Sequence, residues 1–188
     1  MARIPYPDPA TLPDADREFL AALPQLNISR MLAGSPSMFR PLTRVFSAYL
    51  SDGLLTDTMR EIAILRVGHL RNSEYEVVNH NRVARLIGFS PERIEALAPG
   101  GNPDVFTPEE QAVLKFVDEV VTDGGASKDA FDTVAKFMST AELIELTVVI
   151  GVYTMVSQIC ATFEIEPEET PIADTGIEDI KRTVGKFR

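Results

Sequence analysis

Apolar residues recur at helical intervals along most of this chain, and nowhere do they alternate as a strand would. In "DADREFLAALPQL" (14–26), Phe19, Leu20 and Leu23 keep that spacing until Pro24 stops the run. "SPSMFRPLTRVFSAYLSDG" (35–53) carries Met38, Leu42, Val45, Phe46 and Tyr49 on one stripe, with Pro41 bending its first turns and Gly53 near its end. Thr56 caps a helix reaching about Leu70, and a second runs from about Ser73 to Ile87 and ends at Gly88. "SPERIEAL" (90–97) is a short helix and "APGGNPDVF" (98–106) a loop.

Two later starts carry a Ser/Thr-x-x-Glu capping box, Thr107 with Glu110 and Ser139 with Glu142. In such a box each side chain satisfies a free amide of the other residue. They open helices at 107–125 and 139–163, with a further helix at 127–137 between them. From Leu146 to Cys160 the last of these is apolar on nearly every face, as a helix inside a bundle or at a subunit contact would be. Its many β-branched residues would also suit a strand; the capped start makes it a helix in our reading. The pattern predicts an all-α protein with an extended arm at 1–12, one helical domain at 13–164 and a polar tail at 165–188. A short last helix is predicted at 175–186, with the tail lying over the surface or a neighbouring subunit.

Composition narrows the setting. With 188 residues and 45% apolar content the chain can bury one real core. No apolar run approaches the ~18 residues that span a bilayer, and the N-terminus lacks a hydrophobic signal region, so a soluble, cytoplasmic protein is expected. A formal charge of -10 repels phosphate backbones and anionic lipid, which argues against nucleic acid and membranes as partners. The single cysteine, Cys160, has no internal disulfide partner and reads as a small buried position.

The chemistry concentrates in "EIAILRVGHLRNSEYEVVNHNRVAR" (61–85), which holds both histidines. Helical spacing puts Ser73, Glu76, Val77, His80, Val83, Ala84 and Ile87 on one side, and that side is the apolar one. Glu76 and His80 stand at i and i+4, close enough to hydrogen-bond. The preceding helix, apolar all round and therefore central, adds Glu61 and Arg66, both of which need partners. A carboxylate beside an imidazole in a partly dehydrated site is a workable acid/base pair, with the hydroxyls of Ser73 and Tyr75 available to a substrate oxygen. The same residues also read as a satisfied buried network that fixes helix register, or, less well at this spacing, as a metal set of Glu61, Glu76 and His80. His69 is most simply a cationic residue at a helix C-terminus, with a substrate contact as its alternative role.

Residues 32–97, through "LAGSP", "REIAILR" and "EYEVVNH", resemble the carboxymuconolactone decarboxylase family, which includes the alkylhydroperoxidase D-like proteins. The resemblance implies an all-α, single-domain helical bundle that assembles as a homo-oligomer, with a trimer or hexamer favoured over the alternative of a dimer. The family's peroxidase branch relays protons from a Glu through a His to a Cys-x-x-Cys disulfide. Glu61 and His80 match the relay, while Ser73 and Glu76 stand at the two cysteine positions, so no thiolate is there to attack a peroxide. The resemblance therefore implies cofactor-independent, metal-free acid/base chemistry, decarboxylation or isomerisation of a small oxygenated compound. His80, Glu76 and Glu61 would be catalytic, and Tyr75, Ser73 and His69 would contact substrate. Competing readings are an inactive oligomeric binding or structural protein, and a metal-dependent oxidative-stress protein.

Overall fold

The computed structural model describes residues 2–169 and Arg182, and among these every regular element is helical. In chain order the helices are α1 (Asp14–Ala22), α2 (Asn27–Leu32), α3 (Pro36–Ser51), α4 (Asp57–Leu70), α5 (Glu74–Leu86), α6 (Pro91–Glu95), α7 (Pro108–Asp123), α8 (Lys128–Val134) and α9 (Thr140–Phe163). Single 3₁₀ turns lie at Pro9–Thr11 and Pro103–Val105. The helix predicted at 175–186 falls outside the described residues, Arg182 excepted.

Among the described residues two compact units emerge, 54–159 and 2–53 with 160–169. In the second of these, Arg3 pairs with Glu164 at 2.8 Å and donates its backbone amide to Phe163. The amide of Asn27 donates to Glu168 and the phenol of Tyr6 to Glu166, so the N-terminal arm and α2 are sewn to the segment after α9. Arg40 on α3 reaches Asp16 on α1 at 2.6 Å, beside the edge-on rings of Phe19 and Phe39.

In the unit at 54–159, α4 packs against both α5 and α7. Its Ile62, Ala63, Ile64, Leu65 and Val67 are fully buried, with Leu97, Val113, Val117 and Leu146 completing the core. Each of the Val, Leu and Ile side chains contributes about 1.5–3 kcal/mol. Arg66 finds the partner its position demanded: a two-pronged bond to Asp118 on α7, at 2.5 and 2.7 Å, with a third donation to the Leu97 carbonyl. Arg71 donates to the Val121 carbonyl and closes the same seam.

The capping signals act where they were read. The Thr56 hydroxyl accepts from the Met59 amide, Ser90 from Arg93, and both boxes form. Asn72, at φ 52°, turns α4 into α5 while the Ser73 amide donates to the Gly68 carbonyl at 2.9 Å. Gly68 makes the close approach possible, since a Cβ there would lie 3.3 Å from both the Glu76 Cβ and the Val77 Cγ2.

Helix α9 corrects one expectation. By length and composition it is apolar enough to cross a membrane, against the expectation that no run in the chain is. Leu146, Val149, Ile150, Tyr153, Val156 and Cys160 face the interior, whereas Ile144 and Val148 are 61% and 46% exposed. The helix thus serves a core on one side and shows bare apolar surface on another.

Candidate active site

Two adjacent helices of one compact unit bring the predicted acid/base residues together. Glu61 sits in the second turn of α4, fully buried; His80 sits in the middle of α5 with its side chain 14% exposed. The His80 Nδ1 lies 2.7 Å from Glu61 Oε2, a charge-assisted hydrogen bond between helices. On the other side of the ring, Nε2 stands 3.6 Å from Glu76 Oε2. That is ion-pair distance but too long for a hydrogen bond. The intrahelical Glu76–His80 bond expected from the i, i+4 spacing is therefore replaced by one to the neighbouring helix, and Nε2 keeps its hydrogen-bonding capacity.

Electrostatics follow the geometry. Burial disfavours the charged imidazole, but Glu61 by charge and hydrogen bond, and then Glu76 by charge, outweigh it against the opposing Arg60, and the His80 pKa is raised. A carboxylate at Nδ1 orients the ring and favours the tautomer that carries its proton there.

Two residues that the sequence reading did not single out complete the site. Arg60 is 2% exposed, donates to Asp57 at 2.6 Å, and holds its Nε 3.9 Å from Glu61 Oε1. Both of those facing atoms lack a hydrogen-bond partner. Tyr153 of α9 sets its ring edge-on to the imidazole, centroids 4.9 Å apart at 87°. Its signal in the sequence was available: Tyr153 and Ser157 are the hydroxyl-bearing positions on a buried face that otherwise reads Leu146, Val149, Ile150, Val156.

The proposed substrate contacts divide. Ser73 is buried at the N-cap of α5, yet its side chain caps nothing and its Oγ has no hydrogen-bond partner. It lies two turns before His80 on the same face. Tyr75 is buried on the neighbouring flank of α5. His69, in the last turn of α4, does not fit the cationic role read for it: burial, then the nearby Arg66, push its pKa down. No group of three or more His, Cys, Asp or Glu residues among those described converges as a metal site; Glu61 and Glu76 instead flank opposite nitrogens of His80. Cys160 is buried on α9 and forms no disulfide among the described residues.

An all-helical fold carrying a Glu–His pair on adjacent core helices defines the class. Residues 36–119 match the model of the carboxymuconolactone decarboxylase family. It is similar to an uncharacterized peroxidase-related protein of Ralstonia eutropha JMP134 with an alkylhydroperoxidase AhpD core. The TM-score is 0.78 at 20% identity over 89% of this chain and 93% of that one. A peroxidase-related protein of Silicibacter sp. TM1040 matches with TM-score 0.75 at 16% identity, over 99% and 94% of the two chains. A protein of unknown function from Agrobacterium tumefaciens matches with TM-score 0.67 at 25% identity, over 74% and 96%. No curated protein matches the chain.

Proposed function

We propose that this chain is a cofactor-independent acid/base enzyme, a lyase or isomerase acting on a small oxygenated carbonyl compound. The observation that carries the reading is the His80 imidazole, bonded through Nδ1 to the buried Glu61 and keeping Nε2 available beside Glu76. His80 takes a proton from carbon next to a carbonyl, or returns one to an enolate; Glu61 orients the ring and stabilises its charged form; Glu76 exchanges the proton with Nε2. Ser73 and Tyr75 are the proposed contacts for a substrate oxygen, with His69 at the periphery. Thiol chemistry has no place in this account, because Ser73 and Glu76 occupy the positions where the peroxidase branch carries sulfur.

The protein is proposed to work in the cytoplasm as a homo-oligomer. The exposed Ile144 and Val148 of α9 offer apolar surface for self-association.

The test is turnover of a panel of lactones, enones and keto acids by the purified protein and by His80→Gln and Glu76→Gln. Loss of turnover with unchanged thermal unfolding and oligomer size supports catalysis. A second reading, a structural network, draws on the continuation of the cluster through Arg60 to Asp57. Unfolding of both variants would favour it.

A further inference from the structure

We infer that Ser157 of α9 is a further substrate-binding residue of the His80 site, and that its hydroxyl and that of Ser73 receive the oxygen on which charge gathers when His80 takes a proton. This rests on the acid/base reading and adds to it the groups that stabilise the product of the proton transfer.

Both serines forgo the local bond that a hydroxyl in their position makes most readily. Inside a helix that bond goes back one turn to a carbonyl, as Thr122 donates to Asp118, Thr133 to Asp129 and Thr147 to Leu143. Ser157, inside α9 and 1% exposed, makes no such bond. At a helix start the hydroxyl accepts from an amide ahead of it, as those of Thr56, Ser90 and Ser127 do. Ser73, at the start of α5 and 4% exposed, caps nothing. Each Oγ is buried without a hydrogen-bond partner among the described residues, which costs stability unless a bound molecule supplies one.

The helix directions bring the two serines to one end of the site. Glu145 of α9 accepts from the Leu54 and Leu55 amides just before α4, at 2.8 and 3.1 Å. Further along both helices, Tyr153 meets the His80 ring that is bonded to Glu61. Helix α9 therefore runs the same way as α4. Helix α5 runs the opposite way, because His80 lies at Glu61 while Glu76 lies at Gly68. Passing along α9 beyond Tyr153 thus follows α5 back from His80 toward Glu76 and Ser73. Ser157, one turn and about 6 Å beyond Tyr153 on the same face, comes level with Glu76.

The chemistry needs donors there. Nε2 takes a proton from the carbon next to a carbonyl; the C–H electron pair becomes part of a new C=C bond, and the carbonyl π pair moves onto oxygen. Two hydroxyls, one from α9 and one from α5, can donate to that oxygen together. The imidazolium that has just formed balances its charge. Returning the proton to carbon restores the carbonyl, so no oxidant, reductant or second substrate enters.

The experiment offers cyclohexenone and butyrolactone to the purified protein, to Ser157→Ala and to Ser73→Ala. Wash-in of solvent deuterium next to the carbonyl is read by NMR, and the C=O stretch of the bound probe by infrared difference spectroscopy. Ser157→Ala should slow exchange about a hundredfold at saturating probe and raise the C=O stretch, and Ser73→Ala should do the same. Thermal unfolding of Ser157→Ala should be unchanged or higher, since the hydroxyl removed has no partner in the protein. Exchange and stretch that match the wild type in Ser157→Ala overturn this inference and leave the acid/base reading intact. So does slower exchange with an unmoved stretch, or a lowered unfolding temperature, either of which gives Ser157 a structural role. If the wild type exchanges neither probe, the acid/base reading fails and this inference fails with it.

Discussion

The His80 Nδ1 and the Glu61 Oε2 meet at 2.7 Å across two helices and nineteen positions of sequence. Because Glu61 is fully buried, that bond holds a carboxylate away from water in exchange for an oriented, readily protonated imidazole. Glu61→Gln keeps the shape and removes the charge. The His80 pKa should fall in this variant, and unfolding in urea should show a loss of roughly 3 kcal/mol, the lower end for breaking a buried pair.

The two histidines should make opposite contributions to stability as pH changes. The folded-state pKa of His80 is raised, so its stabilising contribution is complete below the ordinary value of about 6.5 and is lost as pH rises through the folded value. That of His69 is lowered, so its contribution is present above about 6.5 and is lost as pH falls. In denaturant unfolding across a pH series, the gap between wild type and His80→Gln should shrink with rising pH. The gap for His69→Gln should shrink with falling pH.

Gly68 tests the closeness of α4 and α5. Alanine inside a helix is normally favourable by about 0.5–1 kcal/mol over glycine. Here the added methyl meets the Glu76 and Val77 side chains at 3.3 Å, and one of those atoms is the Glu76 Cβ, which moves only with its backbone. Gly68→Ala should therefore destabilise by about 1 kcal/mol instead and shift the His80 resonances, as read by urea unfolding and NMR.

Arg66 provides a control that separates scaffold from site. Replacing its two-pronged grip on Asp118 by an ammonium, Arg66→Lys, should cost about 1–2 kcal/mol. The figure is moderated by solvent at the Asp118 side chain, which is 35% exposed. The His80 titration curve should stay where it was.

Much of the fold was legible because the chain marks its helix starts chemically. The hydroxyls of Thr56, Ser90, Thr107 and Ser139 all bond as their sequence positions imply. Helix α2 left no such trace: six residues long and entered at Leu26 without a side-chain cap, it gives periodicity too few turns to register. Helix α8 likewise closes at Val134, short of the 137 expected.

At the site, the ionisable residues stood out because carboxylates and histidines are conspicuous in an apolar stretch. Their pairing was legible through the resemblance alone, which set Glu61 and His80 in one relay; spacing within α5 suggested Glu76 for His80, whereas packing against α4 delivers Glu61. Tyr153 carried a signal, a hydroxyl on a buried apolar face, but no spacing links α9 to His80, and Arg60 stands beside the more telling Glu61. Contacts between separate helices are set by tertiary packing, which local periodicity does not encode.

The central claim is that His80 is a proton-exchanging group oriented by Glu61 and open to ligand at Nε2. Nitrogen NMR of the imidazole, followed through a pH titration with and without cyclohexenone, tests it most directly. The account predicts a pKa above about 6.5, a proton retained on Nδ1, and a shift of the Nε2 resonance when the enone is added. A histidine that titrates at or below that value, with an Nε2 indifferent to the enone, would contradict it.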